Sequence, residues 1–226
     1  LSRTSAVSFM VFGVVAVTLL IHLISLLFTA FLFTAFGSFT RCWFRAQSAE
    51  LGGWCSARLD FIAMNTTKLK DAIEERWQAS VLPELIEYIK IPNKSPLFDP
   101  DWEQHGYMDT AVEQFADWCR REGPADMQLD IIRLPDRTPM LYAEIPASDA
   151  GTGDDTVLLY GHLDKQPEMS GWREGLGPWQ PVIEGDKLYG RGGADDGYAT
   201  FASLLAVRQL AEQGLPHARC VILVEA

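Results

Sequence analysis

The chain has 226 residues, of which 48% are hydrophobic and 22% are charged, and its formal net charge at pH 7 is −11. This length allows one domain of ordinary size and an additional segment. A nucleic-acid partner is excluded, because so acidic a chain repels phosphate backbones and the sequence contains no basic stripe. The four cysteines have no C-x-x-C spacing, which excludes a zinc finger or a disulfide framework. Cys119 and Cys220 fall on apolar faces, so we expect them in the core.

The first 63 residues differ in composition from those that follow. No Asp, Glu, Lys or Arg occurs from Ser5 to Thr40, and residues 6–36 are almost wholly apolar. This stretch exceeds the roughly 20 residues with which a helix spans a bilayer, so it predicts an apolar N-terminal helix that anchors the protein in a membrane. Arginines follow it at positions 41, 45 and 58. By the positive-inside tendency, they predict that an anchored protein keeps residues 64–226 in the cytoplasm.

A second explanation of residues 1–63 stands beside the membrane anchor. Leu1 is not an initiator, whereas Met64 stands immediately before the first predicted helix of the remaining chain. Residues 1–63 would then be upstream sequence read through into the frame, and the protein would be cytoplasmic without an anchor. Under both explanations the chain divides into an apolar segment with its linker, residues 1–63, and a folded part, residues 64–226.

The folded part is predicted to begin with a helix from Thr66 to Lys90, where apolar residues recur at approximately helical spacing. Pro83 lies inside this helix and predicts a kink near Ser80 to Leu82, because its ring clashes with the preceding turn. A loop rich in proline and aspartate follows over residues 93–106. His105 in this loop is either a metal or substrate contact or, as we expect, a solvated loop histidine.

Two further helices are predicted. The first runs from Asp109 to Glu122, where Thr110 and Glu113 have the spacing of a capping box and Gly123 provides a stop signal. The second runs from Gly197 to Gln213 and is apolar on several sides. Such a helix is expected to be buried.

Short apolar or alternating runs between turn residues predict six strands. They cover Gln128 to Leu134, Met140 to Ile145, Thr156 to Tyr160, Pro181 to Ile183, Leu188 to Tyr189 and Arg219 to Glu225. The fourth and fifth strands are predicted to form a hairpin. Strands that alternate with helices predict an α/β domain with a mixed, largely parallel sheet flanked by helices, in which ligands gather at the carboxyl ends of strands. His217, in the loop before the last strand, is expected at the surface.

Candidate metal ligands stand at the ends of two predicted strands. The third strand runs into His162, and Asp164 projects to the same side because the side-chain period of an extended chain is two. A carboxylate that hydrogen-bonds to one ring nitrogen fixes the tautomer of a metal-binding histidine. The fifth strand runs into a glycine-rich turn, residues 190–193, and then into Asp195 and Asp196, which can supply hard oxygen ligands.

Each of these features also has a purely structural explanation. A histidine at a strand end is more often hydrogen-bonded than metal-bound, and Asp195-Asp196 before a helix is more often an N-cap. Arg191 is expected to stabilise the glycine-rich turn by pairing with a carboxylate. Trp172 and Trp179 either form walls of the site or anchor the loop between the two strands. The combination of H-x-D at one strand end with G-x-G-G-x-D-D at another favours the metal site.

The chain resembles the di-zinc metallopeptidases that include aminoacylases, glutamate carboxypeptidases and carnosine-type dipeptidases. Two motifs carry the resemblance, GHLDKQP at residues 161–167 and LYGRGGADD at residues 188–196. The L-D-x-Q-P version of the first motif is most similar to the dipeptidase branch. The fold that this family implies is a zinc-peptidase-like catalytic domain, of which residues 64–226 would form the N-terminal part, truncated before the lid domain.

The resemblance implies two Zn²⁺ ions in a complete active site, with Mn²⁺ or Co²⁺ as alternatives. It implies that His162 binds one zinc, that Asp195 bridges both, and that Asp164, a candidate catalytic residue, orients His162. A cis peptide is implied between Asp195 and Asp196. The implied substrate is a small peptide, such as a dipeptide, hydrolysed by a metal-activated water. A homodimer is implied for the full-length protein.

The family also implies a general-base glutamate and further metal ligands, which would lie beyond Ala226. The 226-residue chain itself is therefore expected to be inactive. Gly197-Tyr198 replaces the Lys-Gly that is common in the family, which indicates a subgroup. Two alternatives remain open. One is an N-acyl amino acid deacylase or carboxypeptidase at the same site, and the other is a membrane-tethered, non-catalytic interaction module.

Overall fold

The computed structural model of the protein describes residues 66–148 and 155–226. The predictions for residues 1–63, including the apolar helix over residues 6–36, lie outside these ranges. Within the two described ranges, no helix has both the length and the apolar character needed to cross a bilayer. The described residues belong to the segment, residues 64–226, that the sequence predicts to be part of a catalytic domain.

The helical region predicted at the start of the folded part is confirmed, with the expected interruption. Helix α1 covers Thr66–Arg76, a π-helical segment covers Trp77–Val81, and helix α2 covers Leu82–Lys90. Pro83 occupies the first turn of α2. The wider π turn before it makes room for the proline ring, which would clash with a regular preceding turn. The predicted kink therefore takes the form of a π-helical turn.

Helices α3, Trp102–His105, and α4, Tyr107–Glu122, follow and are separated by Gly106. Gly106 has a φ of 67° and forms the N-cap of α4, so the helix begins two residues earlier than predicted. The predicted capping box of Thr110 and Glu113 is wrong. Thr110 lies inside the first turn, and its Oγ1 donates to the Gly106 carbonyl at 3.0 Å.

The described residues form six strands. These are β1 Gln128–Ile132, β2 Met140–Ile145, β3 Thr156–His162, β4 Val182–Glu184, β5 Lys187–Tyr189 and β6 Arg219–Glu225. Four of them form one sheet in the order β1-β2-β6-β3, whereas β4 and β5 form the predicted antiparallel hairpin. Strand β6 therefore lies between β2 and β3, although it comes last in the sequence.

The prediction of a largely parallel sheet is wrong. β1 pairs with β2 and β2 pairs with β6 in antiparallel orientation, and among the described strands only β3 and β6 are parallel. Residues 133–139 between β1 and β2 are too few for a parallel crossover, which needs about a dozen residues or more. The connection from β3 to β6 includes helix α5, Tyr198–Glu212, and is long enough for one. The mixed α/β class is confirmed, but the sheet is mostly antiparallel.

Helices α4 and α5 meet through aromatic side chains in the core. The ring centroids of Phe115 and Trp118 of α4 each lie 4.7 Å from that of Phe201 of α5. Helix α5 is buried on several sides, as predicted. Cys119 and Cys220 are buried free thiols, which confirms that they are core residues.

His217 is buried, so the prediction of a surface position is wrong. Its Nδ1 lies 2.9 Å from the Ala218 carbonyl oxygen, and its backbone N–H donates to Ser148 Oγ at 3.0 Å. The segment that enters β6 therefore packs against the residues that leave β2. This contact joins positions far apart in the sequence, which a local pattern does not indicate.

Candidate metal centre

His162 is the last residue of β3 and lies at the carboxyl edge of the sheet. Across the parallel ladder it stands opposite Glu225, the last residue of β6, and the Leu163 N–H donates to the Glu225 carbonyl at 2.6 Å. Gly161 precedes the histidine where the chain passes close to α5. A Cβ at this glycine would lie 2.7 Å from that of Ala199. The sheet and this close approach together fix the position of His162.

Asp164 lies beside the His162 ring, as the two-residue spacing predicted. The His162 Nδ1 is 3.1 Å from Asp164 Oδ1 and 3.2 Å from the backbone carbonyl oxygen of Asp164. Both partners are acceptors and therefore favour the tautomer in which Nδ1 carries the hydrogen and Nε2 has the lone pair that a metal requires. The two side chains are 32% and 30% exposed, which leaves the ring accessible to a ligand.

Asp195 lies on the other side of the imidazole. Its Oδ1 is 3.6 Å from His162 Nε2, and its side chain is 60% exposed. It belongs to a turn, Gly193–Gly197, in which Asp195 and Asp196 have non-helical backbone angles and which leads directly into α5. Its peptide bond to Asp196 is cis, as the resemblance implied. A distance of 3.6 Å is too long for a direct hydrogen bond. The nitrogen and the oxygen are nevertheless close enough to bind one ion between them.

Asp196 lies on the more buried side of the same turn. Burial is the main cause that raises the pKa of Asp196, and the Asp195 charge acts in the same direction, whereas the ring and the backbone N–H of His162 lower it. A Cβ on Gly161 would lie 3.2 Å from Asp196 Oδ2. This carboxylate therefore packs against the end of β3.

The described residues bring two candidate donors together, the His162 imidazole and the Asp195 carboxylate. Within residues 66–148 and 155–226, no three His, Cys, Asp or Glu side chains come close enough together to hold a metal ion. A structural or catalytic Zn²⁺ usually has three or four protein ligands. His162 and Asp195 therefore fit as two members of a larger set, with Asp164 behind the histidine.

Other residues that the sequence singled out have structural partners. Nδ1 of His105 lies 2.8 Å from Asp99 Oδ2, and the His105 side chain is 46% exposed. The expected solvation is confirmed, but His105 is the last residue of helix α3 and does not lie in a loop. Trp172 Nε1 donates to the Glu168 carbonyl at 2.8 Å, so this tryptophan anchors its loop. Among the described residues, Arg191 Nε is buried without a hydrogen-bond partner, so this atom does not make the predicted carboxylate pair.

Two buried residues that the sequence analysis did not single out lie next to the candidate site. Lys165 follows His162 by three positions and is 0% exposed, and Tyr88 of α2 is also 0% exposed. Burial lowers the pKa of Lys165 to about 6. Neither position has a distinctive sequence signal, because a lysine in a polar motif is usually solvated and Tyr88 is one of many large residues on α2.

A cavity of about 440 Å³ lies near the glycine-rich turn, but it is not the candidate site. Its walls are largely apolar and include Trp77, Leu85, Leu188 and Tyr198. His162, Asp164 and Asp195 do not line it. The candidate site is therefore defined by its donor atoms and by its place at the strand ends.

The fold is similar to that of a solved dipeptidase structure. The crystal structure of human carnosine dipeptidase 1 matches this chain with a TM-score of 0.54 and 22% sequence identity. The match covers 70% of this chain and 34% of that chain. At this level of identity the likeness establishes a common fold.

Two sequence relatives match over shorter stretches. Succinyl-diaminopimelate desuccinylase of Gluconobacter oxydans (strain 621H) is 40% identical over 94 residues, which cover 41% of this chain and 20% of that protein. An uncharacterised metallohydrolase of Methanocaldococcus jannaschii is 38% identical over 64 residues, which cover 27% of this chain and 15% of that protein. The chain thus spans a fifth of the length of the first relative and less of the second.

Residues 158–225 match Peptidase family M20/M25/M40. This stretch runs from β3 to β6 and contains His162, Asp164 and Asp195. The resemblance to the metallopeptidases that the two motifs indicated is thereby confirmed.

Proposed function

We propose that the complete protein is a metal-dependent hydrolase that cleaves the peptide bond of dipeptides. The observation that carries this proposal is the 3.6 Å approach of His162 Nε2 to Asp195 Oδ1, with Asp164 against the other ring nitrogen. All three residues lie within the stretch that matches the peptidase family. The likeness of the fold to that of a dipeptidase supports a small peptide as the substrate.

His162 and Asp195 are the proposed metal ligands. Two ligand atoms that each lie about 2.0 Å from a tetrahedral Zn²⁺ are about 3.3 Å apart. The observed separation of 3.6 Å needs only a small adjustment to reach this value. An imidazole and a carboxylate suit Zn²⁺, and they also suit Mn²⁺ or Co²⁺. Asp164 accepts the hydrogen of Nδ1 and so keeps Nε2 unprotonated for the metal.

The remaining ligands and a general-base glutamate are proposed to follow Ala226 in the complete protein. β6 ends beside His162 in parallel register. Residues that follow β6 therefore start from the same edge of the sheet as the histidine. Ligands of α/β folds gather at this carboxyl edge.

In the proposed reaction, the residues of this chain orient the metal ligands. A bound metal ion would lower the pKa of a water molecule and polarise the scissile carbonyl. Asp164 holds the His162 ring in one tautomer and one plane. The exposed carboxylate of Asp195 stands on the solvent side of that ring, where a small peptide can approach.

A second candidate function is hydrolysis of an N-acyl amino acid at the same site. The 40% identity over 94 residues with a desuccinylase favours it. Both reactions hydrolyse an amide bond and require the same metal ligands. They differ in the groups that flank the scissile bond, so the choice between them depends on substrate comparison.

The test is hydrolysis by the full-length protein, stripped of metal and then supplied with Zn²⁺, Mn²⁺ or Co²⁺. Dipeptides and N-succinyl amino acids are assayed side by side by the release of free amine. We expect metal-dependent cleavage with the higher kcat/KM for dipeptides. A higher kcat/KM for N-succinyl amino acids would support the second candidate, and metal-independent or absent hydrolysis of both would contradict the metallohydrolase proposal.

A matched pair of histidine variants locates the activity. His162→Ala is expected to lose metal-dependent hydrolysis. His105→Ala removes a histidine that ends helix α3 and pairs with Asp99, and it is expected to keep the activity of the wild type. The 226-residue chain alone is expected to be inactive, because its described residues supply only two converging donors. Zinc-dependent dipeptide hydrolysis by this purified chain would contradict that expectation.

A further inference from the structure

Both halves of the candidate site rest on the same two buried side chains. One half is the histidine segment, residues 162–165. The other half is the aspartate turn, residues 192–197, which contains Asp195. Tyr88 of α2 contacts both halves, whereas Lys165 is the last residue of the histidine segment and contacts the aspartate turn. Both side chains are fully buried.

Tyr88 holds the histidine segment from helix α2. Its hydroxyl donates to the Leu163 carbonyl at 2.5 Å, and the same carbonyl accepts a hydrogen bond from Asn93 Nδ2 at 2.9 Å. The backbone N–H of Lys165 donates to the Asn93 carbonyl at 2.9 Å. The backbone of the histidine segment is therefore fixed on both sides of Asp164.

The side chain of Lys165 connects the histidine segment to the end of α2. Its Nζ donates to the backbone carbonyls of Tyr88 and Ile91 at 2.6 Å each, and it lies 3.8 Å from the centre of the Tyr88 ring. Carbonyl groups at the end of a helix are satisfied by donors of this kind, and the Tyr88 carbonyl also accepts the Ile91 N–H at 3.1 Å. Because the amine is used in these contacts and is closed off from solvent, it cannot reach a substrate.

The aspartate turn packs directly on both side chains. A Cβ added to Gly192 would lie 2.5 Å from Lys165 Cε, and one added to Gly197 would lie 2.3 Å from Tyr88 Cε1. The turn is closed by a hydrogen bond from the Gly197 N–H to the Gly192 carbonyl at 2.8 Å. Asp195 stands between these two contact points. Packing on the lysine stem and on the tyrosine ring therefore constrains the two ends of the turn that carries Asp195.

We propose that Tyr88 and Lys165 form a positioning pair that sets the separation of His162 and Asp195. The two halves also meet directly, because the Asp196 carboxylate interacts with the backbone N–H of His162. The pair adds a second connection between them, through α2. The geometric part of this inference holds without a metal. Its consequence for metal binding rests on the proposed function.

The first test compares Lys165→Met with Lys90→Met in the metal-free, full-length protein by hydrogen exchange. Methionine keeps the length of the side chain and removes the amine, and Lys90 is an exposed lysine at the end of the same helix, paired with Glu87. We expect the Gly197 amide to exchange about tenfold faster in Lys165→Met and at the wild-type rate in Lys90→Met. An unchanged Gly197 rate in Lys165→Met overturns the inference.

The exchange rate of the Ile222 amide, in the interior strand β6, serves as an internal reference. If the Ile222 amide of β6 also exchanges faster in Lys165→Met, the substitution has loosened the whole domain, and Tyr88→Phe decides instead. Phenylalanine keeps the ring under Gly197 and removes only the hydroxyl bond to the Leu163 carbonyl. We expect the Leu163 amide to exchange several times faster in Tyr88→Phe, with Ile222 unchanged. Wild-type exchange at Leu163 in this variant overturns the inference.

The second test measures metal binding by competition of Zn²⁺ with a chromophoric chelator. We expect binding about tenfold weaker in Lys165→Met, unchanged in Lys90→Met and lost in His162→Ala. The visible absorption spectrum of the Co²⁺-loaded protein is also expected to change in Lys165→Met, because the ligands move. A loss of stability alone would leave the spectrum of the loaded protein as it is in the wild type.

The outcomes separate the two proposals. If His162→Ala binds Zn²⁺ like the wild type, the proposed metal site is wrong. If His162→Ala loses binding while Lys165→Met keeps the wild-type affinity and Co²⁺ spectrum, the metal site stands and the positioning pair is refuted.

Discussion

His162 and Asp195 stand 3.6 Å apart, but the chain holds them in different ways. His162 ends a strand that is paired with β6 along its whole length. Asp195 belongs to a turn with non-helical backbone angles and a largely exposed side chain. The sheet ladder sets the first position, and packing on Tyr88 and Lys165 sets the second. The aspartate turn is therefore the half of the site that should respond most to changes in its surroundings.

Removal of a proposed ligand from either half should have the largest effect. In the full-length protein, His162→Ala and Asp195→Ala are each expected to lower metal-dependent kcat/KM by about a thousandfold or more, because both halves are needed to hold the ion. Peptide hydrolysis at saturating Zn²⁺ measures this loss. Full activity in either variant would refute the assignment of that residue.

The support of the aspartate turn should show in the pH dependence of stability. Burial lowers the pKa of Lys165 from 10.5 to about 6. Between these values the unfolded chain binds a proton that the folded chain does not, so the free energy of unfolding rises with pH by up to about 1.4 kcal/mol per unit. Lys165→Met removes this contribution, and urea denaturation between about pH 7 and pH 9 should give a flatter dependence than the wild type.

Tyr88 is the titratable side chain in contact with Lys165, and it does not alter this expectation. Burial holds the pKa of Tyr88 above its usual range, so the phenol stays protonated throughout the experiment. Equal slopes for the wild type and Lys165→Met would mean that Lys165 is protonated in the folded protein at neutral pH.

A pair of glycine variants compares the aspartate turn with an open loop. Gly192 and Gly175 both have positive φ, of 87° and 82°, but only Gly192 has Lys165 within reach of an added Cβ, whereas Gly175 has open space. Gly175→Ala should cost about 1 kcal/mol of unfolding free energy from backbone strain alone. Gly192→Ala should cost about 2–3 kcal/mol, because the buried lysine stem is fixed at both ends and must also shift. Equal costs would show that the turn is loosely packed.

The smallest effect is expected behind the histidine. Asp164→Asn keeps an acceptor oxygen near Nδ1 and also keeps the backbone carbonyl at 3.2 Å, so the tautomer of His162 is preserved and only the charge is lost. We expect Zn²⁺ affinity to fall about tenfold, the lower end of the range for such partners. Competition with a chelator measures it, and an affinity as low as that of His162→Ala would show that Asp164 binds the metal itself.

The sequence predicted the features that depend on local pattern. The H-x-D spacing placed Asp164 beside the His162 ring because side chains alternate along an extended chain. Glycine punctuation placed the β4–β5 hairpin and the turn before α5. Pro83 predicted the interruption between α1 and α2, although not its π-helical form. These signals act over a few residues, and a single sequence contains them.

Features that join distant parts of the chain were missed. The prediction of a largely parallel sheet was wrong because strand order depends on pairing between distant segments, such as Met140–Ile145 and Arg219–Glu225. Local patterns do not encode this pairing. The predicted surface position of His217 was wrong because its burial depends on the residues after β2. Lys165 was overlooked because the carbonyls and the ring that bury it belong to α2, far earlier in the chain. The two site motifs could be recognised in the sequence, but the packing of Tyr88 and Lys165 against them could not.

The interior position of β6 has a consequence for synthesis on the ribosome. β1 and β2 can pair as soon as Ile145 has emerged, because they are neighbours in sequence and in the sheet. β3 has no other partner among the described strands, and its ladder with β6 runs from Thr156–Arg219 to His162–Glu225. Until β6 has been translated, β3 therefore has an unpaired edge, which is prone to aggregation. The edge that carries His162 is therefore assembled late, when Glu225 leaves the exit tunnel.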